Sequence, residues 1–163
     1  MYLREHNDRL NEAFLVCSTH MDRMLFAFHK IENYFPLTVE RYEELPPETV
    51  SFFDQFIFRF TKWQDAVGSK LFKSILDNLG EETRNVAFID ILNDLESLNI
   101  LNNAEEWIQL RVIRNKLSHE YPSDRTEIVE GMNLLFNNMQ LIENIWEGLR
   151  EYLFKRFRFL MNH

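Results

Sequence analysis

Asn103-Ala104-Glu105-Glu106-Trp107-Ile108-Gln109-Leu110-Arg111-Val112-Ile113-Arg114-Asn115-Lys116-Leu117-Ser118-His119-Glu120-Tyr121-Pro122 decides the fold. Trp107, Leu110, Ile113 and Leu117 recur every three or four residues, the spacing of one buried helix stripe. Asn103 is a suitable N-cap, and Glu105 and Glu106 suit the positive end of the helix dipole. Pro122 pushes Tyr121 out of the α region, so a helix is expected over 103–121. Its far end gathers a cation, an amide, a hydroxyl, an imidazole and a phenol: Arg114, Asn115, Ser118, His119 and Tyr121.

The flanking sequence carries the same periodicity. A first helix is expected over 2–34, with no Gly or Pro and with Leu10, Phe14, Cys17, Met21 and Phe28 on one face. Pro36 and the acidic stretch to Pro46-Pro47 read as a loop, and Pro47 can open the next helix. That second helix, 48–79, stops at Gly80 and is rich in aromatics: Phe52, Phe53, Phe56, Phe58, Phe60, Trp63 and Phe72. Apolar groups occupy nearly every face of its first half. It is therefore either central in a bundle or covered by a second chain. A short helix over 87–98 and a long one over 124–159, capped by Ser123 or Asp124, complete the pattern. The expectation is an all-α, single-domain antiparallel bundle of about five helices spanning residues 1–163.

Composition agrees with that class. Hydrophobic residues make up 45% and charged residues 27%, ordinary for a globular domain. Four Gly and four Pro allow few turns, which favours long helices. With Cys17 the single cysteine, neither a disulfide nor a cysteine-rich metal site is expected. No apolar run is long enough to span a bilayer, and the first residues lack a signal-peptide core, so no membrane association and a cytoplasmic location are expected. His20 and His29 read as surface or boundary histidines. Net charge is −8, unfavourable for binding phosphates, but it is uneven. Residues 1–110 hold 10 basic against 19 acidic side chains, and 111–163 hold 8 against 7. Any contact with a polyanion should be local to the C-terminal third.

The residues ending the fourth helix suit metal-free RNA cleavage, with no cofactor. That reaction needs a base for the 2′-hydroxyl, an acid for the leaving 5′-oxygen, and a fixed cation on the phosphate. Imidazole titrates near neutrality, and a guanidinium fork matches phosphate oxygens. Asn115 could orient His119, and Tyr121 could donate to phosphate or stack on a base. Arg114 and His119, however, stand about 140° apart on an ideal helix. Either the helix loosens before Pro122, or a symmetry mate supplies the second set of groups. The apolar surplus of the second helix fits the latter.

Arg114, four intervening residues, His119 and Tyr121 together resemble the R-x4-H-x-Y motif of HepT-like toxins in the HEPN superfamily. Phe56 to Phe72 resembles the second helix of a HepT-like subgroup. The resemblance implies an all-helical endoribonuclease toxin of a type II toxin–antitoxin system, working as a homodimer with both motifs in one cleft. It implies Arg114 and His119 as catalytic residues and a minimal nucleotidyltransferase (MNT) as antitoxin. Tyr121 then matches the tyrosine that receives AMP (AMPylation) in related pairs. Some HEPN proteins are instead non-catalytic partners that present nucleotide or substrate to a nucleotidyltransferase, and the acidic first two-thirds would suit a basic partner surface.

Two further features bear on RNA or partner contact. Arg59, Lys62, Asp65 and Ser69 form one polar stripe on the second helix, either a solvated face with local ion pairs or a surface facing the Arg114–His119 site. Lys155, Arg156 and Arg158 alternate with Phe154, Phe157 and Phe159. That alternation serves either a nucleic-acid track or a helix end with cations outside and aromatics inside.

Overall fold

The computed structural model describes residues 2–118 and 125–162, and side chains over 4–118 and 125–160. Every regular element among them is helical. Helix α1 (Tyr2–Ile31) ends in a 3-10 turn (Glu32–Tyr34), and a short α2 (Val39–Glu43) follows. Helix α3 (Pro47–Ala66) passes through a π-helical turn (Val67–Leu71) directly into α4 (Phe72–Asn78). Then come α5 (Phe88–Ser97), α6 (Ala104–Leu117), α7 (Arg125–Asn137), α8 (Met139–Arg156) and a 3-10 turn (Arg158–Asn162). No helix among the described residues is long and apolar enough to cross a membrane.

Local chemistry sets the helix ends. Asn103 caps α6, its side-chain oxygen accepting the Glu105 N–H at 2.8 Å. Gly80 closes α4 at φ +85°, where the Gly80 N–H donates to the Asp77 carbonyl and the Glu81 N–H to that of Leu76. That pair of bonds needs a left-handed residue, which glycine supplies without a Cβ clash. The stretch expected as a loop before Pro46 contains α2, capped by Thr38, whose hydroxyl accepts the Arg41 N–H at 3.1 Å. Asn133 on α7 ties down the preceding loop, bonding both the N–H and the carbonyl of Leu37 at 2.8 Å.

The expected helix over 124–159 is two helices. Asn138 interrupts it: its side-chain amide donates to the Leu134 carbonyl at 2.8 Å, and its oxygen accepts from Gln109 of α6 at 2.7 Å. An amide side chain that competes for the backbone carbonyl ends α7 and starts α8.

The aromatic helix is central. Helix α1 packs along α3, and α6 packs against α3 and α7. Phe53, Phe56, Phe60, Trp63, Phe72 and Trp107 have no exposed surface. Trp107 meets Phe72 edge-on at 4.8 Å between ring centres and Trp63 at 5.6 Å. The apolar surplus that argued for a second chain is thus largely buried within one chain. Phe58 and Phe26 remain about half exposed on the α1–α3 side, and Val112 is 62% exposed on α6. Cys17 is fully buried and its thiol is pushed up to about 12 by burial, so it behaves as a small apolar group.

The alternating C-terminal residues divide by chemistry. Phe157 is buried, and Phe154 packs edge-on against Phe14 at 5.4 Å. Phe159 is half-buried against Phe157, whereas Lys155, Arg156 and Arg158 are exposed. The tail's aromatics serve the core, and only its cations face outward.

Candidate functional site

Packing of α6 on α3 brings together residues 49 positions apart. Arg114 meets Asp65 in a two-pronged pair, Nε to Oδ1 and Nη2 to Oδ2, each 3.1 Å. Both side chains are partly exposed, at 30% and 43%. Of the five guanidinium N–H groups this pair uses one on Nε and one on Nη2. The Nη1 side is left, with only a long 3.4 Å approach to the Asn115 amide oxygen. Asp65 therefore orients Arg114 and balances its charge without occupying its second fork.

Two further contacts hold the end of α6 against α7. Lys116 pairs with Glu130 at 3.1 Å, and Leu117 packs over Gly131. A Cβ at Gly131 would lie 2.7 Å from Leu117 Cδ2, so this close approach requires glycine or a shifted leucine. Ser118 closes the helix, donating its hydroxyl to the Asn115 carbonyl at 2.9 Å. Its role here is capping. His119 and Tyr121 lie outside the described residues, as do Pro122 and the expected caps Ser123 and Asp124.

The polar stripe on α3 is shared between two neighbours. Asp65 faces α6, and Ser69 donates to the Asp65 carbonyl at 2.7 Å. Arg59 faces α1, where Nη1 donates to His20 Nδ1 at 3.0 Å, which fixes that ring nitrogen as the acceptor. The guanidinium lies 5.2 Å from the Phe58 ring centre, and Lys62 Nζ lies 5.6 Å from it. His20 is held below its ordinary value by burial first, then by Arg59, Lys62, Arg23 and Lys70. Only Asp65 of the stripe reaches Arg114.

Beside the Arg114–Asp65 pair lies a cavity of about 300 Å³, lined by Gln64, Asp65, Ser69, Lys73, Phe88 and Arg111 around the π-helical turn at Gly68. Sequence reasoning overlooked Gln64, Lys73, Phe88 and Arg111. Gln64 sits among core positions, and the other three come from separate stretches that only the packing of α4, α5 and α6 unites. The one sequence cue was Gly68 inside a helical pattern.

Comparison of the chain with protein-family models, with curated proteins and with solved structures returns no match.

Proposed function

We propose that this chain is a HEPN-type, metal-independent endoribonuclease toxin whose site lies at the end of α6. The observation that carries the reading is Arg114, oriented on one edge by Asp65 and holding on the other only a long approach to Asn115 among the described residues, five residues before His119. In this reading that second edge takes the phosphate oxygens and stabilises their charge in the transition state. His119 moves the proton, and Tyr121 is the residue open to AMPylation by an MNT-type antitoxin. A homodimer would bring two such ends together. Ile108 and Val112, one turn apart and exposed on the outer face of α6, support that arrangement, because they carry apolar surface next to Asn115.

A second reading, a non-catalytic nucleotide- or substrate-binding partner of a nucleotidyltransferase, is favoured by the same ion pair, since Asp65 neutralises the cation that would stabilise transition-state charge.

RNA cleavage by the purified chain separates the two. Arg114→Ala is expected to lower the rate by about 100- to 1,000-fold, the usual cost of removing one transition-state donor. His119→Ala should lower it at least as far. Both variants should keep the helical spectrum, because the Arg114–Asp65 pair is partly exposed and contributes at most about 1 kcal/mol. EDTA should leave the wild-type rate unchanged. Wild-type cleavage by His119→Ala would remove the catalytic assignment.

A further inference from the structure

The cavity beside the Arg114–Asp65 pair combines features that a structural void does not need. Gln64 is 4% exposed and lines the cavity, and its carboxamide makes no hydrogen bond to a side chain or backbone group among the described residues. The carboxamide atoms are not fully shut off from solvent, so a ligand at that position would exchange their bonds to water for bonds of its own. The Arg111 guanidinium lies over the Phe88 ring, its central carbon 4.6 Å from the ring centre. Lys73 and Ser69 add an ammonium and a hydroxyl at the rim, and neither lysine nor Arg111 has an ion-pair partner among the described residues. Gly68 and Ser69 of the π turn Val67–Leu71 also line the cavity, and a side chain on Gly68 would meet its neighbours at ordinary contact distance. Its missing Cβ would stand 3.5 Å from Phe88 and 3.6 Å from Trp107. Single π-helical turns within α-helices recur at functional sites. A volume of about 300 Å³ is small for a ligand pocket and suits one nucleotide.

We propose that this cavity is a binding subsite for a single nucleoside monophosphate unit, with the Gln64 amide on the base edge, the Phe88–Arg111 stack against the base face, and Lys73 on the phosphate. The amide offers a donor and an acceptor side by side, the pattern that reads a base edge. The stack supplies a planar surface that accepts any base, so Gln64 sets the preference and Lys73 the dependence on phosphate. Asp65 borders both the cavity and Arg114, so a nucleotide held here adjoins the proposed cleavage position. This deepens the ribonuclease reading and rests on it for the claim that the unit belongs to RNA.

Calorimetric titration of the full chain with AMP, GMP, CMP and UMP, and with inorganic phosphate as competitor, tests it. Saturable binding to one site per chain is expected, with affinities that differ among the bases and weak competition by phosphate. Lys73→Ala should weaken all four nucleotides by about tenfold, the usual scale for one charge-assisted bond. Lys73 is exposed, so a fold change does not confuse that result. Gln64→Leu should compress the differences among bases to within about twofold while keeping the dependence on phosphate. Absence of saturable binding, equal affinity for all four bases, or binding untouched by both substitutions would overturn the proposal. Arg114→Ala separates it from the functional reading. Wild-type cleavage without mononucleotide binding would sink the subsite alone. Binding that persists in a chain unable to cleave RNA would sink the ribonuclease reading alone.

Discussion

Arg59 and Asp65 stand six residues apart on one helix, yet their surroundings are opposite. Asp65 meets a single cation in a two-pronged pair with Arg114. Arg59 meets His20 within a group of positive charges that includes Lys62, Arg23 and Lys70, and burial first, then the field of these cations, keeps His20 neutral to lower pH. Asp54 borders the same groove as Arg23 and Arg59. One end of the stripe is a closed pair that fixes a geometry. The other is a cationic patch around a half-exposed phenylalanine on an otherwise acidic protein. Their separation matters because orientation and charge attraction are distinct needs of a phosphate-handling surface, and α3 meets them with different neighbours.

The largest expected effect is at the closed end. Asp65→Asn keeps shape and one acceptor but loses the two-pronged fit and the charge. Arg114 would then sample other rotamers, and cleavage should fall about 10- to 100-fold, the scale of a small misplacement at a reacting centre. Stability should fall by no more than about 1 kcal/mol, because both partners are partly exposed. A rate that rises instead would show that Asp65 masks Arg114 and does not orient it. Single-turnover cleavage and thermal melting, measured on the same preparation, report the two quantities.

This closed pair also marks the limit of what the sequence discloses. Helix content, the Asn103 cap and the glycine stop at residue 80 follow from local rules, because caps and periodicity act within a few residues. Asn138 shows where such rules fail. Its side chain breaks an otherwise continuous apolar pattern, and its partner Gln109 lies 29 residues away. The π turn has the same character: one widened turn alters the phase of Ser69 relative to Asp65, and Gly68 gives only a faint sign of it. Of the candidate site, the sequence identifies Arg114 as a group of interest and places Asp65 in a stripe. The contact between them depends on how α3 and α6 cross. The cavity beside it draws on α4 and α5 as well, so no single stretch could reveal it.

A smaller effect is expected at the open end. If the patch contacts RNA backbone, Arg59→Gln and Lys62→Gln should each weaken binding several-fold without regard to sequence. Each should also reduce the dependence of log affinity on log salt by about one. Cleavage of saturating substrate should change little, because neither cation reaches Arg114. A Lys62→Gln chain with unchanged salt dependence would assign the patch to some other anion or to none.

The smallest effect concerns His20, where the two ends differ in their response to acid. The unfolded chain takes up a proton on this histidine near its ordinary value of 6.5, whereas the folded chain does so at lower pH because burial and then the surrounding cations oppose it. The unfolded state therefore binds more protons as pH falls below that value, and this residue's effect is to reduce stability through the window beneath 6.5 down to its folded value. Above 6.5 both states are neutral at His20, and its contribution does not vary with pH. His20→Gln should flatten the acid side of the melting-temperature curve and leave the neutral side nearly unchanged. Arg59→Gln removes the second-largest cause of the shift, so NMR titration of His20 in that variant should show a partial return toward 6.5. The return is partial because burial is the largest cause and remains. A His20 that titrates identically in wild type and Arg59→Gln would mean that the cations lie too far apart in solution to act as one patch. In that case the contrast between the two ends of α3 would rest on Asp65 alone.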